Sequence, residues 1–396
     1  MPMVTFYPNT NHSSHDKTLD LKNSLSRALT KYYPFAGTLD KVTPTYVDCN
    51  DNGADFLEAS IDSKLSDFLT KSKHEDLDQL FPHGLVDYRS KRGDDHDLQS
   101  DDKVNPLAVQ VNHFECGGVA VAVSLSHKIA DAASLGHFVN DWAEMTQFCS
   151  GELKRNDDPQ FIPFQSMNMN SKEMSFERPD DCITRSFVFP KLKIDELKLK
   201  VKTMTAESAE PIMNPSLVDV LTWLLYKCAV SAATKNNPDS YKPTGIAQLV
   251  NLRSKMMEKL PEKSIGNLIT HMEILTKNGS EINPESFIGE MKKQKMQFKS
   301  IRNFETVFDI ISSTDLEEQV KRAASLYICS SLCGFHAYEI DFGWGKPVKT
   351  TVAGDIGKNS FILMDAPDMD GIEAIVCLGK QDMAIVESDP ELLAFT

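Results

Sequence analysis

His127 and Asp131 stand four residues apart at the end of a β-forming run, in the order His127-Lys128-Ile129-Ala130-Asp131. A neutral imidazole can accept a proton near neutral pH, which suits it to general-base work on a hydroxyl. An acid about one helical turn further on can orient such a ring, as a triad acid does, or can turn away into an internal salt bridge. The same spacing also suits metal ligands, but His113 and His137 do not align as a third ligand, and no metal is expected. The plain alternative is a structural histidine bonded to a backbone carbonyl. About two hundred residues downstream, Asp341-Phe342-Gly343-Trp344-Gly345 sets two glycines around an indole. Glycines so placed suggest unusual backbone angles or close chain approach, and a tight turn holding Trp344 in a core explains the motif. Arg253, after a strand ending at Val250, is a cation in a stretch otherwise fit for burial. It is the natural partner for Asp131 or Asp341.

The elements that position these residues follow from periodicity. Leu107–Phe114 alternates, Glu115-Cys116-Gly117-Gly118 turns the chain, and residues 119–126 return. In the return strand Val119, Val121, Val123 and Leu125 share one face, and Ala120, Ala122, Ser124 and Ser126 share the other. The small face leaves room for a helix or a ligand. Past His127, Leu135, Phe138, Val139 and Trp142 fall at helical spacing. The chain therefore runs strand, His127, helix, a junction where a side chain can face a crevice at a sheet's end. Upstream, a strand precedes a helix over 19–32, ended by Pro34 and Gly37, and residues 45–49 are a short strand. Residues 87–103 read as a solvated loop, and 151–178 as a polar, Pro-interrupted linker.

The second half repeats the mixed pattern. Asn214 as N-cap and Pro215 at the first helical position open a helix to about residue 233. Strands follow at 245–251 and 267–275, helices at 284–296 and 316–325, and a hairpin joins 361–364 to 372–378. Strands and helices intersperse without strict alternation, so each half is read as α/β with a mixed sheet rather than a Rossmann or barrel fold.

A chain of 396 residues is long enough for two domains. Its net charge of -15 argues against nucleic acid and against an anionic membrane surface as partners. An anionic co-substrate would then need a local basic patch. No run of eighteen or more uncharged apolar residues is present, and the start lacks the pattern of a secretory signal, so a soluble cytosolic monomer is expected. The eight cysteines are scattered without CxxC spacing. Cys329 and Cys333 could share a helical face, but all are read as reduced and structural. Glycine-rich dinucleotide, P-loop, GxSxG and HExxH motifs are absent.

Taken in order, Tyr33-Pro34-Phe35-Ala36-Gly37, Phe114-Glu115-Cys116-Gly117-Gly118, the 127–131 motif, Asn251-Leu252-Arg253, Gly266-Asn267, the 341–345 motif and Asp370-Gly371-Ile372-Glu373-Ala374 resemble the BAHD family of plant acyl-CoA-dependent acyltransferases. The resemblance runs through nearly the whole chain. It is strongest to a branch of alkaloid O-acetyltransferases, where Ala132 stands in place of a frequent glycine. It implies two similar-sized α/β domains of the chloramphenicol acetyltransferase-like type, 1–165 and 181–396, joined by 166–180, with 320–345 packing back on the first. A channel would run between them with His127 near its middle.

By the same resemblance, acyl-CoA, expected as acetyl-CoA, and a small-molecule acceptor such as an alkaloid alcohol would enter from opposite faces. His127 would be the base, and Asp131 would pair with Arg253. The 341–345 turn, with Gly343 and Trp344, would be mainly structural, and Asp341 is carried as a second catalytic candidate. Lys255, Lys346 and Lys349 are candidates for the CoA phosphates, and no permanently bound cofactor is expected. Family chains carry a few dozen residues, including a strand and a helix, before the point where this one starts, so one edge of the first domain is expected to be missing. The reaction would be direct acyl transfer without an acyl-enzyme. The alternatives are an inactive, shortened binding protein derived from the family, and a thioester hydrolase.

Overall fold

The β-branched alternation around His127 becomes the centre of a five-stranded sheet. Leu107–Phe114 and Val119–Leu125 form an antiparallel hairpin whose turn places Gly117 at φ 81°. A Cβ at Gly117 would lie 2.8 Å from the Asn9 side chain, so glycine answers both the angle and the space. Pro2–Tyr7 pairs antiparallel with Val119–Leu125 on one side and with Lys349–Val352 on the other. Asp55–Ile61 adds in parallel to Leu107–Phe114, which makes the sheet mixed.

The structure, a computed structural model, describes residues 1–9, 14–40, 46–82, 103–148, 158–162, 181–236, 243–277, 279–303, 325–353, 356–367 and 369–396. The chain divides into two units. The first is Met1–Phe176 with Lys263–Asn267 and Gly334–Asp355; the second is Glu177–Glu262 with Leu268–Cys333 and Ile356–Thr396. In the first, the branched face of the sheet packs Val109, Val111, Val121 and Val123 against Leu21, Leu25, Phe138 and Trp142. These last come from the helices Ser14–Lys31 and Ala132–Gln147. On the opposite face Ala120 and Ala122 meet Val4, Phe6, Leu65, Phe68 and Phe114. The room beside the alanines is therefore filled, in part by the helix Leu65–Lys71. Each large side chain so buried stabilises the fold by roughly 1.5–3 kcal/mol.

The second unit carries a six-stranded sheet. Its order is Ile269–Thr276, Thr244–Asn251, Ser325–Ser331, Ser360–Asp365, Gly371–Gly379 and Cys182–Pro190. The two central couplings are parallel and the outer three antiparallel. Beneath it runs Leu217–Asn236, long and apolar enough by composition alone to cross a membrane, yet its apolar window is 67% buried within the fold. Val220, Leu221, Trp223 and Leu224 all lie in the core.

Several expectations change in detail. Ser216, not Asn214, caps that helix: Ser216 Oγ accepts the Asp219 N–H at 3.2 Å and Asp219 Oδ2 accepts the Ser216 N–H at 3.1 Å. The reciprocal pair satisfies two otherwise orphaned amides, so Pro215 falls outside the helix. Of the segment 320–345, Ser325–Ser331 is a strand of the second sheet, because Tyr327 and Cys329 bury into that core; the part belonging to the first unit is 334–345, the start of Gly334–Asp355. Cys329 and Cys333 accordingly share no helix, and the cysteines described are all reduced. In the stretch expected as a polar linker, Gln160–Phe161 pairs in parallel with Ser264–Ile265 inside the first unit. The loop expected over 87–103 and the helix over 316–325 lie outside the described residues, save Lys103 and Ser325, which are both in strands.

Candidate active site

Where Val119–Leu125 ends, the Ser126 N–H donates to Pro106 O at 2.7 Å, and the chain leaves the sheet at His127. Four residues on, Asp131 caps Ala132–Gln147. Its Oδ1 accepts the backbone N–H and the hydroxyl of Ser134, each at 2.9 Å, and the residue is only 1% exposed. A cap of this kind is worth about 1 kcal/mol. His127 is thus held between the end of a strand and a fixed helix start.

The third support comes from residues 263–267. Gly266 N–H donates to Ser134 Oγ at 3.1 Å, and Gly266 O accepts the Asp131 N–H at 3.3 Å. Next along, the Asn267 amide nitrogen donates to His127 O at 2.6 Å, while Asn267 Oδ1 lies 3.1 Å from His127 Nδ1. The carbonyl of His127 fixes which way the amide points, since only the NH2 end can donate to it. An acceptor therefore faces Nδ1, so Nδ1 carries the proton in the neutral ring and Nε2 keeps its lone pair. His127 is exposed to solvent, yet the protein around the ring desolvates it enough to hold its pKa below the ordinary histidine value. At neutral pH the site offers an unprotonated Nε2.

The other candidates have partners of their own. Asp131 does not orient the imidazole as a triad acid would: Nδ1 belongs to Asn267, and the Asp131 charge acts on the ring only through space, raising its proton affinity. Arg253 lies in the second unit, 6% exposed, where its backbone N–H and its Nη1 both donate to Asn251 Oδ1 at 3.1 Å.

Asp341 is engaged through both carboxylate oxygens. Oδ1 accepts the N–H groups of Gly343 at 2.7 Å and Gly345 at 2.9 Å, and Oδ2 accepts from Gln147 Nε2 at 3.3 Å. The two glycines sit at φ 93° and 91°, the left-handed region that the turn demands. Trp344 packs edge-on to Tyr7 at 5.5 Å and beside Phe342 at 5.6 Å, with Lys17 Nζ 5.5 Å from the indole centroid. Among the lysines, Lys346 is paired with Glu339 at 2.7 Å, Lys349 is half-buried in an edge strand, and Lys255 is exposed in the second unit. Asn267, Gly266 and Ser134 carry roles that sequence reasoning did not assign. The signal was the Gly266-Asn267 pair, noted only as part of a pattern.

A lone pair presented at the end of a mixed sheet, in a chain of two such α/β units, fits the acyl-CoA-dependent acyltransferases of chloramphenicol acetyltransferase-like fold. The chain belongs to the BAHD acyltransferases, whose family model, the Transferase family, matches residues 1–393. Akuammiline synthase 1 of Alstonia scholaris is 34% identical over 401 residues, covering 99% of this chain and 88% of that protein. Stemmadenine O-acetyltransferase of Catharanthus roseus is 32% identical over 395 residues, covering 98% and 88%. The crystal structure of vinorine synthase matches with a TM-score of 0.79 at 29% identity, over 100% of this chain and 90% of that one. The protein is accordingly an acyl-CoA-dependent O-acyltransferase, with a CoA thioester as its co-substrate.

Proposed function

We propose that the protein transfers an acetyl group from acetyl-CoA to a hydroxyl of a plant specialised metabolite of the alkaloid class, with His127 as general base in a ternary complex. The observation that carries the mechanism is the fixed tautomer, which leaves Nε2 of His127 as the proton acceptor. An unassisted alcohol resembles water, with a pKa of about 16, and is a poor nucleophile at pH 7. As its oxygen attacks the thioester carbonyl, Nε2 takes the hydroxyl proton. The tetrahedral intermediate then collapses, the C–S bond breaks, and the CoA sulfur leaves as a thiolate whose conjugate thiol has a pKa of about 8.5 by analogy with cysteine. The imidazolium returns its proton to that sulfur, so the base is regenerated and no acyl-enzyme forms. Lys255, Lys346 and Lys349 are assigned to the CoA phosphates, Lys346 by exchanging Glu339 for phosphate.

The acetyl and alkaloid assignments are supported by the names of the relatives, two of which act in alkaloid formation or acetylation by name. The reduced cysteines support a cytosolic setting. The test is an acetyl-CoA assay against a panel of alkaloid alcohols. His127→Ala is expected to lower turnover by about a hundredfold to ten-thousandfold while CoA still binds; turnover retained would overturn the base. CoA release that does not depend on the alcohol would mark a thioester hydrolase. A CoA-induced thermal shift with no product from any acceptor would mark a binding protein.

A further inference from the structure

We infer that Lys263, Asp141 and Tyr32 form a lock that sets the ring position and tautomer of His127 through residues 263–267. The inference rests on the reading of His127 as the base. Lys263 begins the five-residue strap whose last member, Asn267, bonds Nδ1. Its ammonium lies 2.8 and 3.0 Å from the two carboxylate oxygens of Asp141, and the side chains are 13% and 6% exposed. The Tyr32 hydroxyl donates to Asp141 Oδ2 at 2.8 Å from a fully buried position. Burial and the neighbouring carboxylate both push the phenol's pKa upward, so it stays a donor throughout the working range. None of the three touches the imidazole.

What makes the lock act on His127 is the length of the strap. Asp141 and Ser134 lie on one helix, about 10.5 Å apart along its axis at the standard rise. Lys263 and Gly266, which bind them, are joined by three extended residues' worth of chain, about 10–11 Å. The strap thus runs alongside Ala132–Gln147 with an anchor at each end, the Lys263 end reaching Asp141 through its long side chain. Its pairing with Gln160–Phe161, in which Lys263 O and Ile265 O accept the N–H groups of Gln160 and Ile162 at 3.0 and 3.4 Å, is only two residues long. Releasing the Lys263 end lets Gly266 and Asn267 slide, and the Asn267 oxygen no longer meets Nδ1 squarely. A buried ion pair of this kind adds little net stability over apolar residues of similar size, and its best-attested use is to fix register.

The experiment uses the full chain with 15N-labelled histidine, with the His127 imidazole signals assigned by their absence in His127→Gln. The parent chain should show one tautomer, protonated at Nδ1. The double variant Asp141→Leu/Lys263→Met replaces the pair with apolar bulk, so that no lone buried charge remains. It should show a mixture of tautomers and a kcat lower by about tenfold, with KM for acetyl-CoA changed by less than about twofold. Lys263→Arg should restore both readings. If the double variant does not fold, Tyr32→Phe, which removes one hydroxyl, should move the tautomer signal in the same direction. An unchanged Nδ1–H signature in the folded variant overturns the lock. A parent chain that transfers no acyl group would sink the functional reading instead, while the imidazole spectra still decide the lock.

Discussion

Asp131 and Asp341 each open a signature turn, and each gives its Oδ1 to two donors a few residues downstream. The turns differ in what they leave over. In the 341–345 turn both carboxylate oxygens are engaged, the glycines take left-handed angles, and the indole is packed among Tyr7 and Phe342. Around Asp131 the same kind of carboxylate work frees a neighbour: with Nδ1 of His127 bonded to Asn267, Nε2 keeps a lone pair that no described residue takes up. Two motifs equally conspicuous in sequence thus differ in what they leave available: one has its carboxylate and indole fully engaged, the other presents a ring nitrogen. The dividing quantity is how completely their polar atoms are satisfied.

Substitutions can break that division. The largest effect should come from His127→Ala, which removes the proposed proton acceptor; turnover should be lost in a chain that still unfolds cooperatively on heating. Asn267→Ala comes next, with kcat expected to fall by about tenfold or more as the ring loses its fixed tautomer. Steady-state kinetics with acetyl-CoA would measure this, and an unchanged kcat would contradict the assigned geometry. Asp341→Ala should show the reverse pattern. Leaving two backbone N–H donors without their acceptor should cost about 2 kcal/mol in denaturant unfolding with kcat within about twofold of the parent; a large kcat loss in a stable variant would favour Asp341 as a catalytic group. Smaller still is Gly345→Ala. Nothing lies near its missing Cβ, so only the backbone angle resists the change, at about 1–2 kcal/mol.

The pH dependence sharpens the same contrast. His127 has its pKa lowered by burial, so the folded chain binds its proton less readily than the unfolded one. Its contribution to stability is therefore present above the unfolded value of about 6.5 and is lost as pH falls from there through the lower folded value. The acid limb of kcat/KM should likewise lie below about 6.5, with a plateau at neutrality. An acid limb above 7 would mean the ring is not desolvated as the structure has it.

The strand–histidine–helix junction could be read from sequence because its cues are local. Alternation over 107–125 and the helical spacing of Leu135, Phe138 and Trp142 follow from strand and helix geometry alone. Local competition obscured other features. Asn214, Pro215 and Ser216 are all acceptable helix openers, and only the reciprocal bonds between Ser216 and Asp219 decide among them. Family resemblance places Ser325–Ser331 with the first unit, although its buried Tyr327 and Cys329 belong to a strand of the other sheet. Asn267 lay beyond any local rule. Its partner is 140 residues away, and neither hydrophobic period nor capping chemistry carries information over that distance.

The first unit takes in Lys263–Asn267 and Gly334–Asp355 from far along the chain. During synthesis the ribosome delivers His127 long before Asn267, and Pro2–Tyr7 waits for Lys349–Val352 to cover its other flank. A nascent chain stalled between these points would hold the hairpin and its helix with one strand flank uncovered and the imidazole free to rotate. The support of His127 is complete only when the later segments have emerged, so fragments cut after the first 176 residues should carry His127 without the Asn267 that fixes its ring.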